Sequence, residues 1–318
     1  MTHVGLMLDS LDGLSVGDAL GAQVFAMGQS LPDLMAGSPP AGQWAWTDDT
    51  EMACSVVAEL RDHGGIEQNR LAAGFAARYE PHRDYGFATV GTLRRIRDGM
   101  VWREAAGAAF DGQGSCGNGA AMRVAPLGAY YADDPKVIVA EAIRSAQVTH
   151  LHPEGVTGAV AVALAAGQAA HARLTGTRPS PSDFITAIVD RLDAGDTSRR
   201  IHRARALLET TAVEAAHELG NGSRVTAQDT VPFTMWVAAT HLDDYPAANA
   251  TCIAADGDVD TTSAIVGGIV AAYTGSGSRP RSIGVPEAWL AAREPLPAWF
   301  DPASRTRRRQ GAGPVRDW

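Results

Sequence analysis

Residues 155–167 read GVTGAVAVALAAG, thirteen residues in which Thr157 is the one polar side chain. A membrane-crossing helix needs about 18 or more such residues in a row. The stretch is therefore expected to be a buried core helix, predicted over 153–174. Alanine, glycine and valine on every face let neighbouring helices approach from all sides. The rest of the chain follows the same pattern. Leu6–Gly21 carries apolar residues at three- and four-residue spacing, and Thr50–His63 reads as a helix closed by Gly64-Gly65. Further helices are predicted at 67–79, 87–98, 102–109, 119–131, 135–147, 181–193, 198–218, 226–242 and 244–254, and from Thr262 to Tyr273. A Pro-, Gly- and Trp-rich loop spans 31–46 and a glycine-rich turn spans 111–119. No convincing alternation exceeds four residues and no repeat is evident, so the expected class is all-α.

Composition agrees. Of 318 residues, 45% are hydrophobic but only 6% aromatic, and 34 are glycine, which favours close-packed helices over a β-sandwich. Length alone suggests about two domains, but the continuous helical pattern favours one over residues 1–300. Residues 301–318 are Arg-rich and poor in core residues, and are expected to form a solvated tail. A net charge of −9 argues against a general nucleic-acid binder, and no membrane partner is expected. Three scattered cysteines, Cys54, Cys116 and Cys252, suit a reducing compartment. The N-terminus has no Lys or Arg before its apolar residues. A cytoplasmic monomer is the expectation.

Two acidic segments carry chemistry. WTDDTEMA at 46–53 places Asp48 and Asp49 just before a helix, and DGDVDTT at 256–262 does the same with Asp256, Asp258 and Asp260. Helix capping explains acids at such positions, yet one cap needs one carboxylate. A calcium loop fails, because Thr261 and Gly267 stand where glycine and glutamate are required. Asp48, Asp49, Asp258 and Asp260, with the hydroxyls of Thr47 and Thr261, instead offer hard oxygen ligands for two divalent cations. Such a set suits Mg²⁺ or Mn²⁺ rather than zinc.

The ordered motifs GDALG (17–21), WTDDTEMA (46–53), SCGNGAAMR (115–123), THLHPEG (149–155), DGDVDTTSAIVGG (256–268) and VPEAW (285–289) span about 280 residues. As a set they resemble the ADP-ribosylglycohydrolase family, which includes the dinitrogenase-reductase-activating glycohydrolases and the arginine- and serine-type ADP-ribosylhydrolases. The resemblance implies a compact single-domain orthogonal bundle with a central two-metal cleft. It implies metal ligation by Thr47, Asp48, Asp49, Asp258, Asp260 and Thr261, and a solvated Asp256 where the family has glycine. It also implies a metal-dependent hydrolase that frees ADP-ribose from a protein or other conjugate. Nucleic acid enters only as an ADP-ribosylated substrate.

The turn GQGSCGNG offers backbone N–H groups that can cradle a pyrophosphate. By the same resemblance Ser115, Gly117, Asn118, His150 and Gly86 contact ADP-ribose, and Phe110 stacks on the adenine. Cys116 replaces a tyrosine and opens one side of that slot; His152 has weaker support. Asp18 of GDALG reads first as a structural hydrogen-bond acceptor. Phe25 stands where much of the family has a glutamate, and the next acid before Asp48 is Asp33. The base is thus expected from Asp48 or Asp49. The competing reading is an ADP-ribose-binding regulatory protein without turnover.

Overall fold

A computed structural model describes residues 2–27, 41–279 and 282–300. The described chain is all-α. Its helices are α1 (His3–Met27), α2 (Asp48–His63), α3 (Gln68–Arg78), α4 (Phe87–Arg97), α5 (Trp102–Gly107), α6 (Ala125–Tyr130), α7 (Pro135–Gln147) and α8 (Pro153–Thr175). They continue with α9 (Pro181–Val189), α10 (Asp196–Ala204), α11 (Ala212–Leu219), α12 (Ala227–Thr240), α13 (Tyr245–Ala254), α14 (Val259–Thr274) and α15 (Glu287–Ala292). A two-residue antiparallel pair, β1 (Ser278–Arg279) with β2 (Ser282–Ile283), lies between the last two helices. Phe25 lies in the last turns of α1, but its side chain falls outside the described residues, as do Asp33 and the 301–318 tail.

The core is built around α8 and the α1–α14 pair. α8 is long and apolar enough to cross a membrane by length and composition, yet 78% of its most apolar window is buried among its neighbours. Glycines set those contacts. A Cβ on Gly158 would lie 2.7 Å from Ala227 Cβ of α12, and one on Gly167 would reach the Gly128 backbone of α6 at 3.0 Å. The α1–α14 pair is tighter. Gly13, Gly17 and Gly21 repeat every four residues and so share one face of α1. A Cβ on Gly17 would lie 2.7 Å from the Ser263 carbonyl carbon, and one on Gly21 2.5 Å from Asp260 Cα. Backbone thus meets backbone along this seam, and the two helices run antiparallel. The GDALG glycines draw the N-terminus of α14, and Asp260 with it, up to Asp18. The Tyr245 hydroxyl donates to Gly13 O at 2.6 Å and ties α13 to the same seam.

The predicted helix over 198–218 is two helices. α10 runs into a short 3₁₀ turn, Arg205–Leu207, and α11 starts at a capping box in which Thr211 Oγ1 accepts from Glu214 N–H. The Thr-x-x-Glu spacing is a readable start signal. Likewise the helix expected over 119–131 is a 3₁₀ turn, Asn118–Ala120, followed by α6.

Candidate active site

The site forms where the starts of α2 and α14 meet α1. The chain entering α2 is held from the C-terminal side. Trp44 N–H donates to Ala292 O (2.8 Å), Glu294 N–H donates to Trp44 O (2.9 Å), and the Trp46 indole donates to Pro295 O (3.2 Å). The 292–295 segment that follows VPEAW therefore fixes the approach to Thr47. Arg83 lies over the Trp46 ring at 3.3 Å and donates to Trp46 O and to the Glu294 carboxylate. Asp48 N–H donates to Arg83 O at 2.7 Å. Tyr85 hydroxyl donates to Glu51 at 2.5 Å, which locks the loop before Gly86 against α2.

Capping does not account for the acids. Thr47 is the N-cap of α2 and Asp258 the N-cap of α14, and neither side chain makes a cap hydrogen bond. The Thr47 hydroxyl lies instead 2.8 Å from Asp18 Oδ1 and 3.2 Å from Asp49 Oδ2. Asp18, Asp49 and Asp260 each offer a carboxylate oxygen within 4.8 Å of the others. Asp18, read from the sequence as structural, plays that part too. It accepts from Thr47 N–H, Thr50 N–H (3.1 Å) and Thr50 hydroxyl (2.5 Å) while being fully buried. Among the expected ligands, Asp49 and Asp260 belong to this triad. Asp48 lies beside it at 8% exposure, and Thr47 and Thr261 are buried next to it. Asp258 accepts from Asn118 Nδ2 at 2.6 Å.

Electrostatics mark the cluster as short of positive charge. Burial, with Asp18 and Asp260 close by, pushes Asp48 well up from the ordinary carboxylate value; burial and Asp18 do the same for Asp49. Burial raises Asp18 to about 7, and burial with the neighbouring Asp260 raises Asp258 to about 7. The α2 and α14 N-termini offset part of that repulsion. Asp49 Oδ1 is buried with no hydrogen-bond partner. A lone pair left so in a ring of carboxylates fits a cation, and an all-oxygen donor set fits Mg²⁺ or Mn²⁺. Asp256 is exposed with φ 60°, a left-handed backbone that explains why glycine suits that position.

The glycine-rich loop is joined to the acids by Asn118. Its Nδ2 bridges Asp258 and the Thr230 hydroxyl, and its N–H donates to Val225 O. Ser115 Oγ accepts from Gly117 N–H at 3.1 Å. His150 is 2% exposed and lies under the loop: a Cβ on Gly117 or Gly119 would be 3.3 Å from its Nε2. Ser115, Gly117, Asn118 and His150 thus lie together. His152 is instead the N-cap of α8 and accepts Glu154 N–H at 3.2 Å. Phe110 is 58% exposed with φ 51°, so it is no core residue. Gly86 precedes the 95%-exposed Phe87, with open space where a Cβ would stand.

Two contacts that shape the site are not readable from the motifs. The 220–225 loop supports Asp258, whose N–H donates to Asn221 O at 3.2 Å, and a Cβ on Gly222 would lie 2.6 Å from Asp258 Cβ. Arg123, fully buried, donates to Gly119 O, Ser145 O and the Thr149 hydroxyl. Nothing in local spacing links residue 222 to 258 or 123 to 149.

The sequence model of the ADP-ribosylglycohydrolase family matches residues 6–311. ADP-ribosylhydrolase ARH3 from Gallus gallus is 30% identical over 324 residues, covering 86% of each chain. The Homo sapiens ADP-ribosylhydrolase ARH3 is 30% identical over 282 residues, 78% of this chain and 74% of that one. A solved structure described as an ADP-ribosylglycohydrolase-related protein complex superposes with a TM-score of 0.62 at 25% identity, covering 92% of this chain and 93% of that one. Fold, site and these likenesses agree: the chain belongs to the ADP-ribosylglycohydrolase family, enzymes that hydrolyse glycosidic bonds to ADP-ribose.

Proposed function

We propose that this protein is a divalent-cation-dependent ADP-ribosylhydrolase that releases ADP-ribose from a conjugated acceptor. The observation that carries the reading is the Asp18–Asp49–Asp260 triad with the unpartnered Asp49 Oδ1. Thr47, Asp48, Asp49, Asp258, Asp260 and Thr261, joined by Asp18, would hold two cations, Mg²⁺ by preference and Mn²⁺ as the alternative. Bound there, they supply a template and Lewis acid for the distal ribose. Asp48 lies outside the tight triad and is the more exposed of the adjacent pair. It accepts the proton of the attacking water, with Asp49 as its alternative. The C1–acceptor bond breaks through an oxocarbenium-like transition state, C1 gains the hydroxyl, and the acceptor leaves with a proton. Ser115, Gly117, Asn118 and His150 hold the pyrophosphate and ribose, while Gly86 lets the substrate approach the α2 side.

The Phe110, Ser115, Gly117, Asn118 pattern favours an oxygen-linked conjugate such as ADP-ribosylserine. A panel of serine-, arginine- and nucleic-acid-linked ADP-ribose, assayed for free ADP-ribose, tests the reading. Release from the serine conjugate supports it, and no release from any conjugate overturns it.

Phe110 serves as the adenine platform. Stacking on a base is worth about 1–3 kcal/mol, so Phe110→Ala is expected to weaken ADP-ribose binding by about tenfold or more in calorimetry. Because the ring is more than half exposed, the melting temperature should stay put.

A further inference from the structure

His150 is held by a short chain of groups. Arg123 Nη2 donates to the Thr149 hydroxyl at 2.9 Å, and that hydroxyl lies 2.7 Å from His150 Nδ1. All three residues are buried, at 0%, 2% and 2% exposure. Arg123 can only donate, and a threonine hydroxyl has a single hydrogen. The guanidinium takes one of the hydroxyl's two lone pairs, and among the described residues the hydroxyl's hydrogen has His150 Nδ1 as its one acceptor within bonding distance. Nδ1 then accepts, and the ring proton must sit on Nε2. Among the described residues Nε2 has no hydrogen-bond partner, and it faces the Gly117–Gly119 backbone. An N–H held beside the loop with no protein acceptor is free to donate to a ligand there.

We infer that Arg123 and Thr149 are positioning residues that lock His150 as the neutral Nε2–H tautomer, a fixed donor aimed at an anionic or hydroxyl oxygen of a ligand on the glycine-rich loop. The identity of that ligand as ADP-ribose rests on the function proposed above; the tautomer does not. Burial and the nearby guanidinium also lower the His150 pKa to about 3, so the donor stays neutral at physiological pH. Burial lowers Arg123 to about 9, which leaves it protonated at neutral pH. The design avoids a charged imidazolium beside Arg123 and still presents a hydrogen.

Long-range ¹H–¹⁵N spectra of histidine-labelled, ligand-free protein read the tautomer directly. The wild type should show His150 with a protonated Nε2 and a bare Nδ1, unchanged from pH 5 to 8. Thr149→Ser should keep that pattern. Thr149→Val, close to isosteric, should lose it and bind ADP-ribose about tenfold more weakly, the loss of one well-placed donor. A protonated Nδ1 in the wild type, or an unaltered pattern in Thr149→Val, overturns the lock. The locked tautomer in a wild type that does not bind ADP-ribose supports the lock and overturns the ligand assignment instead.

Discussion

Asp49→Asn is expected to lose divalent-cation binding at the triad and to cut ADP-ribose release by at least about 10²-fold, the lower end for removal of an acid–base group alone. Asp18→Asn should do the same, although Asp18 makes no contact that the sequence motif assigns to catalysis. The effect on stability should run the other way. In cation-free protein these carboxylates repel one another in a buried setting, so Asp49→Asn, at a side chain whose Oδ1 has no partner, relieves repulsion and should melt no lower than wild type, whereas Asp18→Asn also loses acceptors for Thr47 and Thr50 and should melt lower. With Mg²⁺ present, wild type should rise in melting temperature and the variants should not. A purely structural Asp49 would instead lower the melting temperature when replaced, with or without cation.

The same charges set a pH dependence. Asp18 and Asp258 have folded-state values raised to about 7 from an ordinary 3.8. The folded state therefore holds their protons more tightly than the unfolded chain. That stabilisation is complete below about pH 4 and is lost as pH rises through about 7. Chelated protein should melt lower at pH 8 than at pH 5 as far as these groups decide it, and Mg²⁺ should abolish the difference.

Gly17→Ala is expected to be strongly destabilising. The added Cβ would overlap the Ser263 carbonyl, a backbone group that cannot rotate away. Overpacking commonly costs about 1–3 kcal/mol, and a clash between two helix backbones belongs at or above the top of that range. The displacement would also draw Asp260 off Asp18, so residual folded protein should bind cation weakly. Gly91→Ala in α4 is the control: nothing lies within 4 Å of its Cβ position. There the better helix propensity of alanine should raise stability by up to about 1 kcal/mol. Circular-dichroism melts of the two variants decide the matter. Equal effects would show that the α1–α14 seam is not under steric control.

Much of this architecture is legible in the sequence, for particular reasons. The alanine-rich run within α8 announces a core helix because no solvent-facing side is left on it. WTDDTEMA and DGDVDTT announce carboxylates at two helix starts. What local spacing does not give is which carboxylates meet. Asp18 reads as an ordinary buried acceptor, and only the Gly13–Gly17–Gly21 seam, whose members meet residues distant in the chain such as Asp260 and Ser263, brings it to Asp260. The Arg123–Thr149 and Gly222–Asp258 contacts are long-range in the same sense. The break between α10 and α11 was readable from Thr211 and Glu214, but the apolar spacing on both sides masks it.

The aspartate cluster is proposed to be a divalent-cation site for releasing ADP-ribose. The most direct test is the rate of ADP-ribose release from a serine-linked conjugate by chelator-stripped protein as Mg²⁺ is added back. No turnover is expected without cation, with saturable recovery on adding Mg²⁺ and no recovery in Asp49→Asn at any concentration. Full turnover by the stripped wild type, or by Asp49→Asn, would contradict that assignment.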